Sequence, residues 1–411
     1  MIKHKVGKSM VALVVTGALG LLLSACGPAS SPSSSNGASS SGTATTNAAN
    51  KTNDVITSKF KEVTRVEGKV FGTFYYITVP GGYPGGTETL QSDANFVFSR
   101  VASSINTFDE SSELSRFNDF HETKPFLISD YLASIIEEMI LQSRRIDQAM
   151  DPTVGPLVNM WGFGHKGEIT KAPSDHEIEE AKSYVGLDMF SLRRAGNTAY
   201  LEKRDPRVEL DLSTIGEGLA ADEIASLLDE KGIENYMVAV AGAIRSKGAN
   251  PEGKLWKVGI ENPMNQGSSV FVPVCPQGMA ISTAGSYRNF FYDEQKDKFF
   301  SHIIDPKTGR PIDHRTVSVS VIARQALITD ALDTGLLVLG AKAAVDWGNR
   351  NDTAVYAIEI NADGKPIATY SKSFAPYLTC KVDPNLATPK LAVPANISTQ
   401  PTAEQVATGH N

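Results

Sequence analysis

Two periodicities divide the chain. Runs with apolar residues at every second position, rich in β-branched and aromatic side chains, predict strands, and runs with apolar residues three and four apart predict helices. The first clear strand is 70–79, closed by the turn signal Pro80-Gly81-Gly82. Helical spacing follows over 90–105, then a capped helix start at Ser112, then an amphipathic run over 132–150 that Asp151-Pro152 ends. Residues 153–164 hold too much glycine and aromatic residue for a helix interior, and predict a packed loop or short helix at a ligand wall. A helix is expected at 174–185, a hairpin from 199–201 with 208–212, and a central helix at 214–228 with Gly216 and Gly218 in its first turns. The strand pattern returns at 236–240, 256–260, 270–274, 279–283, 299–304 and 317–323. An apolar helix at 331–339 ends at Gly340, and 354–360 with 367–370 makes a last hairpin. Most of these strands pair with close sequence neighbours. The expected fold is therefore α+β, mostly antiparallel sheets with flanking helices.

The pattern fails at both ends. Lys3, Lys5 and Lys8 precede an apolar run at 10–23, shorter than the ~20 residues a spanning helix needs. Leu23-Ser24-Ala25-Cys26 then matches a lipoprotein signal over 1–25, with Cys26 as the lipidated residue and new N-terminus. Residues 26–55 are Ser, Ala and Gly with almost no apolar bulk, which predicts a flexible tether. Residues 383–411 predict a disordered tail, leaving 56–382 as the folded domain, with order beginning near Phe60. The expected location is the extracytoplasmic face of the cell membrane, anchored by lipid.

Charge changes the picture next. The 411 residues are 41% hydrophobic and 21% charged, ordinary for a protein with a proper core. A net charge of -7 with no compensating basic block argues against a nucleic-acid partner. A phosphorylated ligand would need a metal or a local cationic site. Apart from Cys26, only Cys275 and Cys380 remain. They could pair in an oxidising compartment, but two buried thiols are the default expectation, and three cysteines so spread make no zinc site.

One stretch concentrates the candidate chemistry. Ser301-His302-Ile303-Ile304-Asp305-Pro306-Lys307-Thr308-Gly309 reads as a strand running into a turn. Asp330-Ala331-Leu332-Asp333-Thr334 follows. On a helix Asp330 and Thr334 share a face, with Asp333 on the neighbouring row. Two carboxylates and a hydroxyl so placed form the hard-oxygen cluster that magnesium prefers. The other reading of the same spacing makes Asp330 an N-cap and Thr334 a surface hydroxyl.

Seven blocks in order carry a resemblance: Phe71-Gly72-Thr73; Asn106-Thr107-Phe108 with 109–118; 151–164; 211–222; 282–289; His302 to Pro306 with Thr308-Gly309; and 330–340. Together they resemble the flavin transferase family, the FAD:protein FMN transferases of the ApbE type. The resemblance implies a T-fold-like architecture and transfer of FMN from FAD to a threonine or serine hydroxyl of an exported acceptor protein, with release of AMP. It implies Mg²⁺ held by Thr214, Asp330, Asp333 and Thr334. It places FAD against Phe71 and Phe108, along Ala149, Met150 and Asp151, and near Asp211, Glu217 and His302. Asp330 and His302 become the catalytic candidates, His302 accepting the acceptor's proton or orienting the phosphate. Trp161 and Phe163 read as core packing, and His121, His165 and His314 as surface or loop residues. The chain departs from the family pattern at Glu217, Ala243 and Ser286. Those departures leave room for a weakened flavin-binding lipoprotein, or for an FAD pyrophosphatase of the same fold.

Overall fold

A computed structural model describes residues 59–380 apart from 197, 266–268 and 288. The lipoprotein signal, Cys26, the whole of the tether, the C-terminal tail and Arg288 lie outside the described residues.

The chain builds one eight-stranded sheet. Its strand order is Val63–Val70, Thr73–Pro80, Tyr236–Val240, Ala243–Lys247, Ala280–Gly285, Thr316–Ala323, Ala354–Ile360 and Pro366–Tyr370. Every neighbouring pair is antiparallel, as expected from sequence. The first hairpin turns on Phe71 and Gly72, at φ 51° and 77°. Two successive positive φ values match the strand twist, but strain a phenylalanine. Alternation along 354–358 assigns the two faces. Val355 and Ala357 point into the large core under the helices, whereas Ala354, Tyr356 and Ile358 enter a smaller core on the other side.

The large core gathers the helices Gly86–Ile105, Asp130–Arg145, Gly216–Glu230 (the central helix) and Ala326–Leu339 (the acidic helix). The central and acidic helices touch at Gly218, where an added Cβ would lie 2.3 Å from the Ala326 carbonyl oxygen. Only glycine permits that approach. On the far face, the wall ribbon Val258–Glu261 with Val270–Val274 packs Ile260 and Val274 against Ile281 and Ile322. Among the described residues no helix is long and apolar enough to cross a membrane.

Several expectations need correction, each for a local reason. The helix expected to reach residue 150 stops at Arg145, because Asp147 and Gln148 take positive φ and the Gln148 N–H turns back to the Ser143 carbonyl at 2.8 Å. Residues 208–212 form no strand: the Asn118 side chain bonds both the N–H and the carbonyl of Leu210, each at 2.8 Å. Thr198–Lys203 pairs instead with Phe126–Ile128 and Phe190–Ala195. The run 299–304 breaks in two, Lys298–Ser301 joining Phe290–Asp293 and Ile304–Asp305 joining Arg310–Pro311. The acidic helix starts at Ala326, so Asp330 is an interior residue and not an N-cap. Cys275 and Cys380 are not free thiols but a disulfide with Cα atoms 5.1 Å apart, tying the end of the wall ribbon to the last turn of the described chain.

Candidate active site

A cavity of about 770 Å³ opens where the central helix, the acidic helix and the wall ribbon meet the sheet. Thr214, Asp330, Asp333 and Thr334 line it, as do Phe108, Ala149, Met150, Asp151, Asp211, Glu217 and His302. Of the sequence-predicted cavity residues only Phe71 stands outside the lining. It sits on the adjoining turn, edge-on to Phe98 at 6.0 Å, while its neighbours Gly72 and Thr73 face the cavity.

The floor is acidic, and both of its carboxylates are buried. The Gly218 N–H donates to one Asp330 oxygen at 2.7 Å, and the Ser282 hydroxyl donates to the other at 2.9 Å. The Thr214 hydroxyl donates to Thr334 at 2.8 Å, and the Thr334 hydroxyl donates to Asp333 Oδ1 at 3.3 Å. Asp333 Oδ2 is buried with no hydrogen-bond partner. Burial first, then the neighbouring Glu217 charge, pushes the Asp330 carboxyl well above the ordinary range; burial and Asp330 do the same to Asp333. No lysine or arginine among the described residues comes within ion-pair distance of either. Two carboxylates, one with an orphaned oxygen, and two hydroxyls suit a hard divalent cation that completes its shell with water or phosphate. Among the described residues no group of three or more His, Cys, Asp or Glu side chains gathers for a metal, so hydroxyl oxygens would have to complete the donor set at this floor.

Glu217 occupies the first turn of the central helix and accepts weakly from the Gly242 N–H at 3.4 Å. The helix start has one N–H fewer to offer an anion, since its Gly218 N–H already serves Asp330. Ala243 is fully buried and neither it nor Ser286 lines the cavity, so Glu217 is the one departure whose side chain faces the ligand space.

On the opposite wall, His302 Nδ1 lies 3.0 Å from the Asn289 carbonyl oxygen, which also accepts the His302 backbone N–H at 3.2 Å. A carbonyl can only accept, so Nδ1 carries the proton and Nε2 presents a lone pair. Burial pushes the His302 pKa down, keeping that lone pair free at neutral pH. Phe163 is half-buried and does both jobs, packing against the small core around Trp161 and lining the cavity with its ring 6.2 Å from His302. Trp161 is core as expected, its indole N–H donating to the Gly309 carbonyl at 2.8 Å. His121, His165 and His314 are exposed.

The remaining polar wall is prearranged. Asp151 accepts from the Thr153 N–H at 2.8 Å and hydroxyl at 2.6 Å, and burial raises its pKa. Asp211 accepts from the Ser213 N–H at 2.8 Å, while its own N–H reaches the Pro152 carbonyl at 2.8 Å. Sequence reading gave no role to Ser282, Asn289 or the Gly218 N–H. Each acts through a contact distant in sequence, and no local spacing announces it.

With this geometry in hand, comparison with known proteins is decisive. The ApbE family model matches residues 71–358. The FAD:protein FMN transferase of Escherichia coli (strain K12) is 41% identical over 302 residues, 74% of this chain and 86% of that protein. Its Vibrio cholerae counterpart is 38% identical over 322 residues, 77% of this chain and 93% of that protein. Among solved structures, the flavin transferase ApbE from Vibrio cholerae superposes with a TM-score of 0.69 at 37% identity, covering 77% of this chain and 99% of that one. The apo flavinyl transferase of Pseudomonas stutzeri gives 0.69 at 28% identity, covering 78% and 98%.

Proposed function

The chain belongs to the ApbE family, and from that premise we propose that it is an FAD:protein FMN transferase that uses magnesium at the acidic floor and releases AMP. The acceptor is a threonine or serine hydroxyl of an exported protein. One observation carries the metal assignment: Asp333 Oδ2 is buried with no hydrogen-bond partner, and no lysine or arginine among the described residues forms an ion pair with Asp333. Asp330, Asp333, Thr334 and Thr214 would hold the ion, which when bound offsets pyrophosphate charge and polarises the phosphoryl oxygens.

The chain's own groups supply the rest. His302 Nε2 takes the proton from the acceptor hydroxyl as its oxygen attacks the flavin-side phosphorus. The new oxygen–phosphorus bond replaces the bond to the bridging oxygen, and AMP leaves with that oxygen. Positioning does most of the work in such a transfer, so the fixed tautomer of His302 and the paired Asp151 and Asp211 matter more than any covalent step. Water attacking in place of the hydroxyl would make the same protein an FAD pyrophosphatase.

We place the protein outside the cytoplasm, lipid-anchored through Cys26. The Cys275–Cys380 disulfide supports an oxidising compartment. The test is to incubate purified protein with FAD, Mg²⁺ and a threonine-bearing acceptor peptide. AMP together with a peptide heavier by one FMN is expected; AMP with an unmodified peptide would mean hydrolysis, and neither product would defeat the proposal.

A further inference from the structure

A hairpin leaves the cavity wall between Asn289 and His302, and the proposed chemistry leaves it without a task. Phe290–Asp293 pairs with Lys298–Ser301 in a two-stranded sheet of its own. Its register sorts the side chains. Phe291 and Phe300 face inward, stacked at 6.0 Å, with Phe300 against Trp161 at 5.2 Å. Asp293 is buried and accepts the Ala172 N–H at 3.0 Å and the Gln295 N–H at 2.8 Å. The inner face is therefore anchored, and the hairpin is not a loose loop.

The outer face is the anomaly. Phe290, Tyr292 and Phe299 are 52%, 41% and 62% exposed. Their rings nevertheless pack on one another, Phe290 with Phe299 at 5.0 Å and Tyr292 with Phe299 at 4.7 Å. An ordered aromatic patch on a hairpin that no third strand joins among the described residues invites association unless it serves a partner. Carboxylates and amines on the hairpin nearly balance, and Lys298 is already paired with Asp313 at 2.5 Å. Recognition here is apolar rather than ionic.

The roots of the hairpin say which partner. Asn289 precedes its first strand and His302 follows its second; both line the cavity and are bonded to each other. A partner seated on the rings thus continues directly into the site where its hydroxyl would react. We propose that this outer face docks the acceptor protein, taking an extended apolar segment on either side of the flavin-accepting residue. The proposal rests on the transferase reading above. Phe299 lies three residues from His302, roughly 10 Å at a strand rise of ~3.3 Å per residue. An extended acceptor would place apolar side chains on the rings from three or four positions away from its threonine.

The experiment uses the full chain, FAD, Mg²⁺ and two ten-residue peptides with one central threonine. One peptide has leucine at the third and fourth positions from the threonine, and the other has serine there. The leucine peptide should show a KM about tenfold lower with the native protein. The double variant Tyr292→Ser/Phe299→Ser should abolish that preference, with FAD binding (read by flavin fluorescence) and the unfolding temperature unchanged. Phe299→Leu should keep it. Equal KM values for the two peptides, a preference that survives the double variant, or labelling of neither peptide while FAD is cleaved would overturn the docking proposal. So would a native dimer that the double variant dissociates, since the patch would then serve a second copy. Absence of AMP in every reaction would instead sink the transferase reading itself.

Discussion

The central helix and the acidic helix both bury carboxylates, and they treat them in opposite ways. On the central helix Asp222 meets Arg245 at 3.2 Å and caps the acidic helix by accepting the Leu327 N–H at 2.9 Å. Glu223 meets Arg100 at 2.7 Å and also accepts the Tyr131 hydroxyl. On the acidic helix Asp330 and Asp333 receive only neutral donors: Gly218, Ser282 and Thr334. Burial pushes all four carboxyls upward, but only the central pair has an arginine pulling each back. The central helix is charge-balanced within the protein and holds the fold. The acidic helix is left short of a cation beside a cavity, and an unbalanced buried charge in such a place marks function.

That contrast can be broken most sharply at Asp333. Asp333→Asn should lower turnover, followed as AMP release, by at least about a thousandfold, because charge stabilisation worth several kcal/mol depends on it. Its unfolding temperature should not fall, since one of two crowded like charges is gone. Wild-type turnover in that variant would make the floor structural. Glu223→Gln should do the reverse. Leaving Arg100 without its carboxylate should cost about 3 kcal/mol in urea denaturation, with kcat of the folded protein within about twofold of the original.

An effect no larger, and confined to alkaline pH, tests the mirror case, a buried cation without a carboxylate in contact. Lys203 is 2% exposed, donates to the Asn118 carbonyl at 2.8 Å, and lies 4.8 Å from the Phe117 ring. Burial lowers its pKa from 10.5 to about 8, only partly offset by Glu209 and Asp119. Between those values the unfolded chain holds the proton more firmly than the folded one, so this group's contribution to stability rises with pH. The rise should approach about 3 kcal/mol, and be missing from the same titration of Lys203→Met. Parallel curves for the two proteins would show that Lys203 keeps an ordinary pKa.

Much of this was legible in the sequence where the signal is local. Ser112 caps its helix, Gly340 ends the acidic helix, and Asp330, Asp333 and Thr334 share a face because helical spacing alone requires it. The start of the acidic helix was not legible, because its cap is the Asp222 carboxylate from another helix. Nor could spacing show that Asn118 would occupy the backbone of Leu210, or that two cysteines 105 residues apart would meet. The same holds for the site. That Asp330, Asp333 and Thr334 would share a face was readable from sequence, while Ser282 and Gly218, which aim Asp330, belong to a different strand and helix. Their role exists only once those elements pack.

Titration of the metal-free protein with Mn²⁺, read by the loss of its free-ion paramagnetic signal, tests the central claim most directly. One Mn²⁺ should bind per native chain, displaceable by Mg²⁺, at least about a hundredfold more weakly in Asp333→Asn and with unchanged affinity in Glu223→Gln. No binding to the native chain, or equal binding by Asp333→Asn, would contradict it.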